Sequence, residues 1–305
     1  MRFELLPPVP AVTVVRQLRP IPLFSFASVD ELFRFSTIAQ QVRHTKGSTF
    51  QKKGAPAEYI QVLVEGQVVV SEADGAQHEV SPPRMFGFRE VLEGKSLMES
   101  AEAKETSICV AMEAESFRGL LSDNIELVEG VFRMLMGQPS TSGPPSLLSG
   151  AVEVATGEPR PEASRALRPI DKALLLNQLP FFARTRANEL LGLSATVREI
   201  PLEGDSKIFD EGDPSSIWIM LSGELKLEPP MGGEPTTVSV GDVLGADEAL
   251  AGGTMGWRGR VSTPGKALKI ERQDLLESLA VHPDLLEGIF GALFQTAGED
   301  QKGHP

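Results

Sequence analysis

Apolar positions along the chain change their period in a fixed order, and the order occurs twice. Leu32, Phe33, Phe35 and Ile38 recur at helical spacing behind Ser28-Val29-Asp30-Glu31, whose S-x-x-E pattern is a capping box. Short β-type runs follow at Tyr59–Val64 and Gln67–Val70, flanking Glu65-Gly66, and at Ser107–Ala111. Asp74-Gly75 adds a hairpin signal, because both residues tolerate the positive φ of a type I′ turn. Phe117, Leu120, Leu121, Ile125, Leu127, Val128, Val131 and Leu135 then return to helical spacing. Later in the chain Thr185 is expected to open a helix, with Asn188 where a capping box wants Glu or Gln. Ser216–Leu221 and Glu224–Leu227 flank Ser222-Gly223, and Lys266–Ile270 closes the β region. Each half therefore predicts helix, about eight short strands, then helix: a small β-barrel flanked by helices.

The two halves share residues as well as periods. Ile21-Pro22-Leu23-Phe24 recurs as Leu179-Pro180-Phe181-Phe182, a shift of 158 residues. Glu31-Leu32 recurs as Glu189-Leu190 and Phe86-Gly87 as Leu244-Gly245 at the same shift. Glu126–Phe132 likewise matches Asp284–Phe290. Four matches at one offset and in one order predict two copies of one fold. Half of residues 137–168 are Pro, Gly, Ser or Thr, a linker composition. The expected organisation is an extension at 1–15, a first domain at 16–136, a linker at 137–168, a second domain at 169–296 and a tail at 297–305.

Composition narrows the function. The 305 residues suffice for two domains with their own cores. With 29 Lys+Arg against 42 Asp+Glu the net charge is −13, which disfavours a nucleic-acid partner. The single cysteine, Cys109, forms no intramolecular disulfide and is expected to be a buried, inert thiol in Ile108-Cys109-Val110. Prolines interrupt the apolar N-terminus, so it lacks a signal-peptide layout, and no run approaches the ~18 apolar residues of a membrane helix. These features predict a cytoplasmic chain with no membrane insertion.

The most specific segment is Ile208-Phe209-Asp210-Glu211-Gly212-Asp213-Pro214, followed by Ile217-Trp218-Ile219-Met220-Leu221-Ser222-Gly223-Glu224. A second version reads Phe50-Gln51-Lys52-Lys53-Gly54 and Tyr59-Ile60-Gln61-Val62-Leu63-Val64-Glu65-Gly66. In both, the chain resembles the cyclic-nucleotide-binding domain of catabolite activators and kinase regulatory subunits. The resemblance implies a mainly β fold with flanking helices: two β-rolls of the double-stranded β-helix or jelly-roll type in tandem. It also implies a phosphate-binding cassette, a short helix opened by Gly-Glu with an Arg about nine residues on. Helix-start N–H groups and the Arg would hold the cyclic phosphate, and the Glu the ribose hydroxyl.

Measured against that pattern, both cassettes are degenerate. The first runs from Gly87 to Ser100, with Phe88 in place of the ribose Glu and Leu97 in place of the phosphate Arg. Glu90 is no substitute, since two residues along a helix turn a side chain by about 200°. The second has Gly245 followed by Ala246, and a gapless alignment puts Met255 at the Arg position. A small insertion instead brings Arg258 or Arg260 close, beside Trp257, which could stack on a base. The alternative puts both arginines on a strand's solvent face and Trp257 against the roll.

Other functional classes find less support. A catabolite-activator-type transcription factor needs a helix-turn-helix beyond the second roll, where only the stretch to Pro305 remains. The kinase regulatory subunits' Arg-Arg-x-Ser-like inhibitor segment has no counterpart near Arg16 and Arg19 or near Arg160, Arg165 and Arg168. His44, His78, His282 and His304 are scattered, with His44 and His78 expected on exposed strand positions, and no metal site or catalytic motif emerges. The resulting expectation is a non-catalytic regulatory or adaptor protein without cofactor, acting on an unidentified protein partner or through self-association. A cyclic-nucleotide sensor using the second domain is the alternative, and a structural assembly component the third.

Overall fold

A computed structural model describes residues 3–25, 27–71, 75–136, 144–154, 166–230 and 232–300. The chain divides into two compact units, Met1–Val131 and Phe132–Pro305. Both are mainly β with flanking helices.

In the first unit β1 (Glu4–Leu5), α1 (Ala11–Leu18) and α2 (Val29–Ile38) precede the strands β2 (Ala39–His44), β3 (Thr49–Gln51), β4 (Tyr59–Glu65), β5 (Val68–Ser71), β6 (Gln77–Val80) and β7 (Arg84–Phe86). Then come α3 (Phe88–Glu93), β8 (Ser100–Ala103), β9 (Ser107–Glu113), α4 (Ala114–Ser122) and α5 (Ile125–Met136), which crosses the boundary between units. The strands make two sheets, ordered β1-β2-β9-β4-β7 and β3-β8-β5-β6. Val42, Phe50, Leu63, Val68, Val70, Phe86 and Cys109 fill the space enclosed by these strands. The capping box at α2 forms as the sequence predicts: Glu31 N–H donates to the Ser28 hydroxyl, and the Glu31 carboxylate accepts the Ser28 N–H. Burial makes Cys109 a poor acid, pushing its thiol pKa far up.

The second unit carries β10 (Leu147–Leu148), α6 (Pro169–Leu176), α7 (Ala187–Ser194), β11 (Arg198–Leu202), β12 (Lys207–Phe209), β13 (Ser216–Glu228), β14 (Thr236–Val238), β15 (Val243–Leu244), α8 (Ala246–Ala251), β16 (Arg258–Glu271), α9 (Arg272–Val281) and α10 (Pro283–Asp300). Here all seven strands join one sheet, because β13 and β16 pair along their length from Ser216↔Glu271 to Glu228↔Arg258, with register shifts between Met220 and Leu225. The predicted break at Ser222-Gly223 survives only as a shift of register. The core gathers Phe209, Trp218, Met220, Leu225, Leu244, Met255 and Val261.

Four expectations are corrected or limited. The single C-terminal helix expected in the first half is two, α4 and α5, separated at Asp123-Asn124. The residue capping α7 is Arg186, and Thr185 is buried beside Gly288. Asp74 lies outside the described residues, although β5 and β6 pair antiparallel around it with Ser71 opposite Gln77. His44 is fully buried, whereas His78 is exposed as expected.

His44 faces inward because β2 alternates, and its ring stacks on Phe50 with centroids 3.9 Å apart. Gln61 donates its amide to Phe50 O, which turns the amide oxygen toward His44 Nε2 at 2.7 Å, so Nε2 carries the proton. Burial holds the ring's pKa below its ordinary 6.5, with the Gln61 bond offsetting part of that. A folded state that disfavours imidazolium is fully stable above that value and loses stability as pH falls below it. Urea midpoints measured at pH 8 and 5.5 should therefore fall in the parent chain. The drop should shrink in His44→Gln, which leaves the opposing contribution of Glu99, whose pKa burial raises.

Candidate functional site

Each unit contains a short helix opened by a glycine that no other residue replaces easily. Gly87 (φ 75°) precedes α3, and Gly245 (φ 77°) precedes α8. Beyond the left-handed conformation, a Cβ on Gly87 would lie 2.5 Å from Tyr59 O, and one on Gly245 would lie 2.4 Å from Ser216 O. The backbone after each helix is tied down in the same way. Gly54 N–H donates to Leu97 O at 2.8 Å and Leu97 N–H to Ala55 O at 2.9 Å. In the second unit Gly212 N–H donates to Met255 O at 2.8 Å and Met255 N–H to Asp213 O at 2.9 Å. Isolated bridges Pro56↔Ser96 and Pro214↔Thr254 stand alongside. Leu97 and Met255 thus take the same place with no insertion between helix and tie, each nearly inaccessible at 4 % and 1 % exposure.

The other sequence-predicted residues fall around this frame. Phe88 is buried, its ring meeting the Phe117 ring edge-on at 6.1 Å, and Ala246 is buried at the start of α8. The Ser100 hydroxyl accepts the Lys53 N–H at 3.0 Å. Trp257 is half-buried against the core of the second roll. Arg258 and Arg260 stand on β16, where acids receive them. Arg258 Nε donates to Asp210 Oδ1 at 2.8 Å, while Arg260 meets Asp205 Oδ1 at 3.4 Å and Glu228 Oε1 at 3.6 Å. Lys207 and Arg258 together hold the Asp210 carboxyl well below the usual carboxylate range.

Residues outside the sequence reading complete the second site. Ser146, from the stretch with linker composition, docks at the start of α8. Its carbonyl accepts Gly245 N–H at 2.9 Å and its hydroxyl accepts Asp247 N–H at 3.0 Å. The Ser146 hydroxyl and N–H in turn donate to the Glu248 carboxylate at 2.7 and 2.9 Å. Glu248, only 4 % exposed, is thereby supplied with donors. Downstream, Leu147↔Leu244 and Leu148↔Val243 pair as strands, and Asp242 accepts Gly150 N–H at 2.7 Å. At the matching place in the first unit Glu90, 8 % exposed, accepts Met98 N–H at 3.4 Å. Composition alone cannot reveal Ser146, since its partners lie about a hundred residues away in sequence.

The first roll holds open space beside the tie. In the first unit two open concavities, about 540 and 550 Å³, flank β3. Phe50, Gln51, Ala55, Glu58 and Leu97 line one, Val69, Gln77, Ser100 and Glu102 the other, and Lys52 is the base common to both. In the second roll the Phe209 ring lies against Gly259, where a Cβ would come within 2.4 Å of it. Among the described residues no cluster of His, Cys, Asp and Glu could hold a metal, and no helix is long and apolar enough to cross a membrane.

Similar structures include the regulatory subunit of a cAMP-independent protein kinase A from Trypanosoma brucei, at 12 % identity over 99 % of this chain and 96 % of that one, TM-score 0.36. The regulatory domain of Toxoplasma gondii PKA, crystallised with cAMP, is 13 % identical over 95 % and 97 % of the two chains, TM-score 0.36. The sensor domain of the transcriptional regulator DNR from Pseudomonas aeruginosa is 18 % identical over 41 % of this chain and 88 % of that one, TM-score 0.36. No curated protein sequence matches. Residues 41–124, from β2 to the end of the first β-roll and its following helix, match the family model for the cyclic nucleotide-binding domain.

Proposed function

We propose that this protein is a non-catalytic cytoplasmic regulator that works through protein–protein contacts. Its two cyclic-nucleotide-binding-like domains, at 16–136 and 169–296, have lost their grip on a cyclic phosphate. The observation that carries this reading is the pair Leu97 and Met255: where the family's phosphate-binding Arg would stand, both side chains are apolar and buried. Phe88 and Ala246 leave the ribose hydroxyl without its acceptor. In the second roll the N–H groups of Gly245 and Asp247 are already taken by Ser146. The partner is a protein, and self-association is the competing outcome.

A hydrogen bond to a charged group contributes about 1.5–3 kcal/mol, so losing both Glu and Arg costs roughly 3–6 kcal/mol. That corresponds to about 10²–10⁴ in affinity, which turns a ~1 μM site into a ~0.1–10 mM one. Calorimetry of the full chain with cyclic AMP and cyclic GMP should accordingly detect no site tighter than ~0.1 mM. Arg258→Ala and Arg260→Ala should leave that result unchanged and, as changes to solvent-screened surface ion pairs, should barely move stability. Micromolar heat abolished by either variant would favour the sensor. The open space beside Leu97 is the observation on the sensor's side, but Lys52 and Glu58 on its wall offer a phosphate no net positive charge.

A further inference from the structure

The same edge of the sheet is treated differently in the two units. In the second, β15 is covered by β10, and Ser146 reaches over to satisfy Glu248. In the first, the matching strand β7 ends the sheet: among the described residues it pairs with β4 alone, and Ser81, Pro82, Pro83 and Arg84 are exposed beside it. Glu90 is buried where Glu248 is, with the Met98 N–H at 3.4 Å in place of two short bonds from a serine. We infer that the β7 edge of the first roll receives an extended segment of a partner protein, reading Ser, two apolar residues, any residue, then Asp or Glu.

The second unit supplies the template for each position. Asp242 O accepts Met220 N–H from β13, so the alternation of an antiparallel strand turns the Val243 and Gly245 N–H groups toward β10. Met85 and Gly87 hold those places in the first roll and offer their N–H groups at the open edge. The serine of the incoming strand would bond Glu90 as Ser146 bonds Glu248, and the apolar pair would lie along β7 as Leu147 and Leu148 lie along β15.

Charge distinguishes the occupant from this chain's own Ser146–Gly150. Asp242 accepts Gly150 N–H and Asp247 flanks Ser146 in the second unit. Arg84 holds the place of Asp242 in the first, and Arg89, ion-paired with Glu93 at 3.3 Å, holds that of Asp247, so Arg84 makes the residue matching Gly150 acidic. Pro83 replaces Gly241, whose missing Cβ lets Val152 O come within 2.5 Å of the Cβ position. The footprint therefore ends after about five residues.

This inference rests on the regulatory reading above and names its docking chemistry. The test is fluorescence polarisation of the full chain with a labelled, end-capped peptide, Pro-Pro-Ser-Leu-Leu-Ser-Asp-Ala-Val. Saturable binding in the micromolar range is expected, weakened about tenfold by Met85→Pro, which deletes an edge N–H but no bond to β4. Ser→Ala in the peptide and Arg84→Glu in the protein should weaken it to a similar degree. Should Met85→Pro fail to fold, hydrogen exchange replaces it: peptide should slow exchange at the Met85 and Gly87 amides. No saturable binding, or binding insensitive to both protein variants through exchange with β10, overturns the inference. A chain that binds neither peptide nor nucleotide would defeat this docking site alone, whereas micromolar nucleotide binding would defeat the reading beneath it.

Discussion

Ser146→Ala should lower the stability of the second unit by about 2–4 kcal/mol, a large effect for one hydroxyl in a stretch of linker composition. The hydroxyl donates to the Glu248 carboxylate at 2.7 Å and accepts Asp247 N–H at 3.0 Å. Its removal leaves a carboxylate that is 4 % exposed with one donor fewer, and each such bond to a charged group contributes about 1.5–3 kcal/mol. The Asp247 N–H, by contrast, can turn to solvent and adds little. Both tryptophans, Trp218 and Trp257, lie in the second unit, so denaturant unfolding followed by their fluorescence reads this unit specifically. A double variant with Glu248→Gln should recover part of the loss, because a neutral amide is less costly to leave buried. A loss below about 0.5 kcal/mol would mean that Ser146 does not anchor α8.

Gly87→Ala and Gly245→Ala should each destabilise their unit by about 2–4 kcal/mol. Two separate penalties act at these positions. The left-handed conformation costs an L-residue roughly 1–2 kcal/mol, and the added methyl also meets a backbone carbonyl at 2.5 or 2.4 Å that strand pairing prevents from moving. Gly54 and Gly212 separate the two penalties. They share the positive φ, at 82° and 83°, but a Cβ there meets nothing within 4 Å. Their alanine variants should show only the conformational cost of about 1–2 kcal/mol. Equal losses at all four glycines would refute the close approach of strand and helix start.

Local chemistry made much of this legible from the sequence. The box at Ser28 and Glu31 and the positive φ of the glycines at 54, 66, 87, 212, 223 and 245 are features of the local backbone. The β-roll with flanking helices follows from them and from the runs between. What stayed hidden depends on pairings distant in sequence. His44 reads as polar, yet strand alternation points it inward to Gln61. Ser222-Gly223 reads as a turn between two strands, yet the partnership with β16 holds β13 together across it, leaving shifts of register and the positive φ of Gly223. Ser146 lies in a stretch whose composition suggests a linker, while its bonds reach Gly245, Asp247 and Glu248. Glu90 reads only as a failed substitute for the ribose Glu, whereas its counterpart Glu248 is a buried acceptor for the strand that passes the start of α8.

The proposed loss of nucleotide binding depends most on Leu97 and Met255, and nucleotide carried through purification tests it directly. Full-length protein, freshly purified from cells that make cyclic AMP, is denatured and its released small molecules are quantified by mass spectrometry. The proposed loss of the Glu and Arg contacts predicts cyclic nucleotide far below one per chain, at the level of the buffer blank. Recovery of about one cyclic nucleotide per chain would contradict the account, since no site weakened by 10²–10⁴ retains its ligand through a column.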